Sequence, residues 1–415
     1  MAEREPGRNA LLFIFITVLI NMIGFGVIMP VMPQLIMDVT GGALAEAARW
    51  GGVLSLSFAV MQFIMMPVMG SLSDRFGRRP VILGSLAAYA LDFLLMALAP
   101  SLAVLFVARI LAGAFAATFS TANAYIADIS PPEKRAANFG LMGAAFGLGF
   151  IIGPALGGLL GDEFGHRAPF FAVAGLGMIN FIYGWFFLPE TLSALHRRKF
   201  DWSRSNALGS FRHFRQYPVI LPIAGAMFLY QLGHWTFPAV WAYFAGERFG
   251  WSARQIGFSL MAVGLAAAVV QGGLSRIILP KFGERRAAFF GAGVAIIAYF
   301  GYGVVQQGWM AYPLIAFGAL AGLTAPALQG IMSRTVPADA QGQLQGAIGS
   351  INGVAMIFGP VLMTQTFAKF SEEGGAIYFP GAPFVLASGL TALALIPLFA
   401  AIGRIKRPRA ASVAA

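Results

Sequence analysis

The sequence predicts an all-α membrane protein whose twelve transmembrane helices form two pseudo-symmetric bundles of six. Hydrophobic residues make up 58% of the 415 residues and charged residues only 11%, whereas about 25% of a soluble chain is charged. The apolar residues fall into twelve runs of about 20 residues, the length that an α-helix needs to cross a bilayer. Glycine and proline residues of the first half also recur in the second half at a constant offset in sequence number. Composition and run length together exclude a soluble globular fold and a disordered chain.

Charged residues, prolines and glycines end each apolar run, and the predicted spans are numbered in chain order. The runs are continuously apolar, whereas a β-barrel strand alternates polar and apolar residues over about ten positions. The twelve predicted spans are 10–36, 51–71, 80–99, 101–125, 136–161, 168–189, 217–245, 253–276, 286–306, 310–332, 342–368 and 380–402.

The basic residues indicate how the spans are oriented. If both termini lie in the cytoplasm, cytoplasmic segments carry 22 of the 28 lysines and arginines, and the other face carries five. The remaining one, Arg109, lies inside span 4. This asymmetry follows the positive-inside rule, and it explains the net charge of +11 without nucleic acid as a partner. We therefore expect a multi-pass protein of the bacterial inner membrane with both termini cytoplasmic.

An internal repeat divides the chain into two halves. Matching residues are 206 positions apart, and each half contributes six spans in the same order. The expected domains are an N-terminal bundle at 1–189, a cytoplasmic linker at 190–216 and a C-terminal bundle at 217–415. In many transporters, halves related in this way rock against one another around a shared cavity. The matching residues are Gly51 with Gly257, Phe76 and Gly77 with Phe282 and Gly283, Pro131 with Pro337, Gly140 with Gly346, and Gly153 and Pro154 with Gly359 and Pro360.

A charged loop joins spans 2 and 3. Asp74 and Arg78 are four residues apart beside a glycine, a spacing at which the two side chains can pair. Arg75, Arg79 and Asp128, which lies near the end of span 4, complete the charged group.

Two charged residues lie inside predicted spans 3 and 4. They are Asp92 and Arg109. A charge at the bilayer centre costs at least about 2.5–3.5 kcal/mol, so such residues face the protein interior or a wet cavity and often mark a functional site. We predict that Asp92 binds and releases protons, with His234 in span 7 as the next candidate. The alternative is that Asp92 is a permanent structural partner of Arg109 or of a neighbouring hydroxyl.

Span 5 carries small residues at a helical spacing. Gly149, Gly153 and Gly157 are four residues apart, and Pro154 and Gly158 adjoin them. Small residues at i and i+4 allow helix backbones to approach closely, and proline removes a backbone donor and bends a helix. We expect this surface to pack against another helix as a pivot, without binding substrate.

Polar side chains inside the spans are candidates for the wall of a substrate cavity. Such residues more often form a hydrogen bond between helices, worth about 0.6 kcal/mol on average, than a contact with a ligand, and both interpretations stay open. Gln231 and His234 rank first because they lie three residues apart beside Trp235. The candidates are Asn21, Gln62, Asn123, Gln231, His234, Gln329 and Asn352.

Four motifs resemble those of the major facilitator superfamily, and the resemblance covers almost the whole chain. The loop at 74–79 resembles the family's charge latch, which favours one conformation, and the span 5 motif resembles its antiporter signature. Arg109 and Gly113 resemble its buried-arginine motif, which is linked to proton coupling. Span 1, at 23–33, resembles that of the twelve-helix drug exporters. The nearest similarity is to the tetracycline-efflux branch.

The chain departs from that branch at several positions. Asn21 in span 1 and Ala295 in span 9 stand where the branch has acids, so we expect little or no resistance to tetracycline itself. In the second half, Pro280 stands where the charged loop has its acid, and a second latch is therefore not expected.

The resemblance implies the major facilitator fold and a secondary active exporter, not an enzyme. Such a protein moves an amphipathic organic compound or drug outward by proton antiport and alternating access. One alternative is an uptake symporter or facilitator for a small organic solute on the same fold, and another is a membrane scaffold or receptor that transports nothing. The expected partners of a monomer are a small-molecule substrate, protons and the lipid bilayer. Without cysteine, and with four histidines at no metal-ligand spacing, neither a metal nor a cofactor is expected.

Overall fold

All regular secondary structure in the part of the chain that the structure describes is helical. The structure is a computed structural model, and it describes residues 8–116, 118–193, 195, 197, 219–337, 340–372, 374–375 and 377–404. Eight spans are single α-helices. They are span 1 (Arg8–Thr40), span 2 (Leu44–Phe76), span 3 (Arg78–Leu98), span 5 (Pro132–Phe164), span 6 (Ala168–Phe187), span 9 (Glu284–Val304), span 11 (Gln341–Phe370) and span 12 (Ala382–Arg404).

The other four spans are interrupted. Within the described residues, ten helices are long and apolar enough to cross a membrane; spans 4 and 7 are not among these ten because each is divided. Span 4 consists of Leu102–Ala114 and Thr118–Ile129, and span 7 of Ile220–His234 and Thr236–Phe249. Span 8 consists of Ala253–Val269, the π-helix Val270–Leu274 and Ser275–Phe282; span 10 consists of the short 3-10 helix Gly308–Met310, Ala311–Gly318, the 3-10 helix Ala319–Leu323 and Thr324–Ser333.

Prolines and glycines account for three of the interruptions. Pro238 lacks an N–H, and its ring clashes with the carbonyl four residues earlier, which belongs to His234, the last residue of the first segment of span 7. Pro326 has the same relation to Gly322 in the 3-10 segment of span 10. The π-helix of span 8 contains Gly272 and its neighbour Gly273.

The predicted boundaries were too short for spans 2 and 5. These were predicted at 51–71 and 136–161, and the helices run from Leu44 to Phe76 and from Pro132 to Phe164. A helix of 33 residues is about 50 Å long, whereas the bilayer core is about 30 Å thick. The prediction ended each span at its polar residues, but the helices continue beyond the membrane core. Most of the predicted linker at 190–216 lies outside the described residues, so the domain boundaries stay predictions.

Two pairs of spans join the halves. Span 5 packs along span 8, and span 2 packs along span 11. On the first pair, a Cβ at Gly264 would lie 2.8 Å from Ile151 Cγ1, and one at Gly158 would lie 3.0 Å from the carbonyl carbon of Ala253 and nearer still to its oxygen. Glycine therefore allows the two halves to touch at the backbone.

The halves separate toward one face of the molecule. We call this the basic face, since it carries the charged segments 72–79 and 276–286. Toward this face, a Cβ at Gly143 or Gly147 in span 5, or at Gly273 in span 8, would meet no heavy atom within 4 Å beyond its own helix. The interior between the halves is therefore open toward the basic face.

Charged contacts join the halves at the opposite face. Arg49 at the start of span 2 pairs with Glu372 beyond span 11, and Arg254 at the start of span 8 pairs with Glu163 at the end of span 5. Ser252 Oγ also donates to Asp162 Oδ2 at 2.7 Å. The molecule is thus closed at this face.

Candidate functional site

A cavity of about 250 Å³ lies at the centre of the molecule. Spans 1 to 4 form most of its wall, and Trp235 of span 7 and Met356 of span 11 contribute from the other half. Six apolar or indole rings, together with seven polar or charged side chains that include the seventh ring, Tyr89, make the wall amphipathic. The rings are those of Phe25, Phe58, Phe93, Phe115, Phe146 and Trp235, and the polar side chains are Asn21, Gln62, Ser85, Tyr89, Asp92, Arg109 and Thr118.

The structure brings Asp92 and Arg109 together in this wall. Arg109 Nη2 donates to Asp92 Oδ2 at 2.5 Å, and the two side chains are only 2% and 9% exposed. The guanidinium also lies over the ring of Phe58, 5.7 Å from its centroid. Each charge is compensated by the other, and removing one partner of a buried pair typically costs about 3–5 kcal/mol. The pairing is compatible with both the proton-carrying and the structural interpretation of Asp92.

Two of the seven predicted cavity residues line this cavity, and the other five lie elsewhere. Asn21 and Gln62 are part of the wall. Gln231 Nε2 donates to Asn352 Oδ1 at 2.9 Å, so these two residues bond to one another inside the C-terminal half. Gln329 pairs with Gln345 at 2.9 Å.

The remaining two lie beside the cavity or apart from it. The imidazole of His234 is exposed and stacks on Tyr230 at 6.2 Å between centroids. It precedes Trp235, which does line the cavity. Asn123 is half-buried and lies outside the cavity wall.

Sequence reasoning missed Ser85 and Thr118 as members of the wall. Ser85 lies seven residues before Asp92 on span 3, and residues at this spacing share one face of a helix. That spacing was the available signal. Thr118 follows the break in span 4, which apolar run length does not reveal.

The charged loop between spans 2 and 3 closes on itself within the N-terminal half. Arg78 Nη1 donates to Asp74 Oδ1 at 2.6 Å and to Ser73 Oγ at 3.0 Å, and Arg78 Nε donates to Asp128 Oδ2 at 3.2 Å. Arg78 is therefore the centre of the predicted group, with an acid on either side.

The other two arginines of the predicted group make local contacts. Arg79 Nη2 donates to the Trp185 carbonyl at 2.6 Å, and Arg75 lies over the ring of Phe76 at 5.0 Å. Glu190, which sequence reasoning missed, accepts the backbone N–H groups of Arg78 and Arg79 at 2.8 and 3.2 Å. These are the first N–H groups of span 3, where a carboxylate is favoured.

The second half contains a related ion pair with its charges reversed. Glu284 Oε1 and Arg334 Nη2 are 3.0 Å apart, and 206 positions earlier stand Arg78 and Asp128. Pro280 stands 206 positions after Asp74, so the second half has no counterpart of the Asp74–Arg78 pair. The ion pair between the start of span 9 and the end of span 10 is nevertheless present, with the acid and the base exchanged. Both loops also turn at a glycine with positive φ, +109° at Gly77 and +77° at Gly283.

The span 5 glycines lie where two other helices cross. A Cβ at Gly153 would lie 2.5 Å from the carbonyl oxygen of Ile23 and 2.9 Å from Gly26 Cα, both on span 1. Gly149 and Gly157 face the same helix, Gly158 faces Ala253 of span 8, and Pro154 lies against Gly257 of span 8. The motif is thus a close-packed surface between span 1 and the other half, and its residues are absent from the cavity wall.

Comparison with known proteins identifies the family. The sequence model of the Major Facilitator Superfamily matches residues 14–360. The tetracycline resistance protein of class C from Escherichia coli is 39% identical over 91% of this chain and 95% of its own length. The class E protein from Escherichia coli is 35% identical over 97% of both chains. Relatives of this kind favour efflux over uptake.

A solved structure shares the fold. It is that of a bacterial homologue of the human lysosomal transporter Spinster, in an inward-facing and unoccupied conformation. The TM-score is 0.79 at 18% identity, over 96% of this chain and 98% of that one. Together these findings make the chain a multi-pass membrane transporter and not an enzyme. The chain belongs to the major facilitator superfamily, on the tetracycline-efflux branch of its drug exporters.

Proposed function

We propose that this chain exports amphipathic organic compounds across the bacterial inner membrane in exchange for protons, acting as a monomer. The observation that carries this proposal is the buried Asp92–Arg109 pair in an aromatic-walled cavity that both halves line. A carboxylate in such a place is the group required to carry a proton, and the rings suit an apolar or conjugated substrate.

The orientation we propose places the basic face and both termini in the cytoplasm. The excess of lysine and arginine on that face supports it. The space between the halves, which we call the cleft, then opens to the cytoplasm. The ion pairs of Arg49 and Arg254 close the outer face. In this inward-facing state a compound enters the cavity from inside, and rocking of the halves exposes it to the outside.

In the proposed coupling step, Asp92 takes up a proton while the cavity faces outward and releases it while the cavity faces inward. A neutral Asp92 does not balance the charge of Arg109, whereas the ionised form does at 2.5 Å. The protonation state of Asp92 therefore changes the net charge of the cavity wall, and the substrate binds against the same wall. The same residues supply both recognition and coupling.

Transport into inside-out vesicles tests the proposed function. With a panel of fluorescent amphipathic compounds, we expect at least one to accumulate when the vesicle interior is acidified, and dissipating the pH gradient should stop accumulation. Transport that only equilibrates the compound, whatever the pH gradient, would identify a facilitator and contradict the proposal.

Tetracycline is expected to be a poor substrate. The side chain of Asn21 lines the cavity and donates from Nδ2 to the Thr17 carbonyl at 2.8 Å, so this position brings no charge where the related branch has an acid. Produced in a susceptible bacterium, the chain should raise the inhibitory concentration of tetracycline little or not at all. The class C protein is the positive control, and resistance equal to that control would show that the acid is dispensable.

Replacing Asp74 with asparagine is expected to favour the inward-facing state. Spans 2 and 11 pack together, and the end of span 2 and the start of span 11 both lie at the basic face. Closing that face brings Asp74 toward the span 11 N-terminus, where a negative charge is worth about 0.3–1 kcal/mol. Loss of this charge should shift the equilibrium between the two states toward the inward-facing one by up to about fivefold.

Cysteine labelling measures this shift. The chain has no cysteine, so Met356→Cys in the cavity wall introduces a unique thiol. Its labelling from the cytoplasmic side should increase in Asp74→Asn and stay unchanged in Asp74→Glu, which keeps the charge. Equal labelling rates in all three proteins would remove Asp74 from the conformational balance.

A further inference from the structure

Four polar atoms around the central cavity are buried and lack a hydrogen-bond partner among the residues that the structure describes. They are Asp92 Oδ1, Arg109 Nε, Gln62 Oε1 and Ser85 Oγ. Buried polar groups in proteins nearly always bind protein, water or ligand. Four of them around one cavity indicate a wall that is built to bind water or the polar part of a ligand.

Among the described residues, the buried hydroxyls of Ser85, Thr121 and Thr236 all lack a hydrogen-bond partner, and of these three only Ser85 lines the cavity. The hydroxyls of Ser55, Thr364 and Thr391 each donate to the carbonyl four residues earlier, all at 2.8 Å. Ser85 is 1% exposed and makes no such bond. Its Oγ therefore keeps an unused donor and an unused acceptor beside the cavity.

The position of Ser85 relates it to Asp92. The two residues are seven apart on span 3 and line the same cavity, which separates them by about 10 Å along the helix axis. Span 3 begins at Arg78 on the basic face, so Ser85 lies between Asp92 and the open cleft. Three or four hydrogen bonds of about 2.8 Å cover this distance, and about 250 Å³ has room for several waters at about 30 Å³ each.

We infer that Ser85 is a positioning residue for proton exchange, and that it holds a chain of waters between Asp92 and the cytoplasmic cleft. Gln62 Oε1 accepts from the same waters. The inference rests on the proposed role of Asp92 as the proton carrier. The other charged and titratable groups of the cavity wall are Arg109, which holds Asp92 Oδ2 at 2.5 Å, and Tyr89, whose hydroxyl donates to the Ile20 carbonyl at 2.8 Å.

The proton transfer balances along this route. The O–H bond at Asp92 Oδ1 breaks and the proton passes to the adjacent water, which gives one of its own protons to the next water. The last water, next to Ser85, releases a proton to the cleft, and Asp92 remains as a carboxylate paired with Arg109. Ser85 stays neutral throughout. A compound that fills the cavity displaces these waters, so proton release to the cytoplasm should precede substrate binding.

The test compares Ser85→Ala with a matched control. Ser85→Ala should slow transport driven by the pH gradient by up to about tenfold, the effect of losing one hydrogen bond, while downhill exchange without a gradient should stay unchanged. Ser85→Thr keeps the hydroxyl and should restore coupled transport. Ser55→Ala is the control, because its hydroxyl is bonded to its own helix at Gly51, and it should behave like the unaltered protein.

The possible outcomes separate this inference from the proposed function. Wild-type coupled transport in Ser85→Ala, an equal loss in Ser55→Ala, or no restoration by Ser85→Thr would each overturn the water chain. Asp92→Asn is measured beside them. If it loses coupling while Ser85→Ala does not, only the water chain fails; if Asp92→Asn keeps coupling, the proposed proton carrier is wrong.

A solvent isotope measurement on the unaltered protein is a second test that needs no variant. Coupled transport limited by proton transfer through water should slow in heavy water, while downhill exchange should not. Equal effects of heavy water on both rates would contradict the inference.

Discussion

Gly153→Leu is expected to abolish transport while leaving the protein in the membrane. The Cβ alone would lie 2.5 Å from the Ile23 carbonyl oxygen and 2.9 Å from Gly26 Cα. Both contacts are with backbone, which cannot rotate away as a side chain can. Leucine must therefore push span 5 from span 1 at the point where span 5 also meets span 8. The close-packed surface on which the halves move is then lost, and transport in vesicles should fall to background.

Gly175→Leu is the matched control for this variant. Gly175 is exposed on span 6, and a Cβ there would meet nothing within 4 Å beyond its own helix. This variant should keep normal transport and a normal amount of protein in the membrane. Normal transport by Gly153→Leu would refute the close-packing role of the span 5 motif.

Asp92→Asn is expected to eliminate accumulation against a gradient and to preserve downhill exchange. Asparagine has the shape of aspartate, but its amide does not take up or release a proton near neutral pH. The change leaves Arg109 buried without its compensating charge, which typically costs about 3–5 kcal/mol. The amount of folded protein must therefore be measured beside transport.

A double variant separates the two interpretations of Asp92. Asp92→Asn with Arg109→Gln removes the uncompensated charge, so the protein should recover stability and still lack accumulation. If the double variant recovers both stability and accumulation against a gradient, Asp92 is a structural partner of Arg109 and not the proton carrier.

Several features of the fold follow from sequence because they depend on local composition. Run length and charge define the twelve spans, and a spacing of four residues defines the packing surface of Gly153 and Gly157. A charged residue is rare enough inside a span to single out Asp92 and Arg109, and the structure joins them in one ion pair. In each case a physical cost forces the residue into one kind of environment.

Other features depend on which helices meet, and sequence patterns do not determine that. Gln231 and Asn352 were candidates either for the cavity wall or for a hydrogen bond between helices, and they form such a bond with one another across two spans. Glu190 caps span 3 from 112 residues away in sequence. A polar residue inside a span has the same appearance in the sequence whether its partner is a neighbouring helix or a substrate.

Proton release on substrate binding tests proton-coupled export through Asp92 most directly. The purified protein is placed in weakly buffered solution with a pH indicator, and a compound that the vesicle panel shows to be transported is added. The unaltered protein should release protons when the compound is added, because the compound binds the form from which Asp92 has already released its proton. Asp92→Asn should bind the compound and release none. Equal proton release from both proteins, or none from the unaltered protein, would contradict proton-coupled export through Asp92.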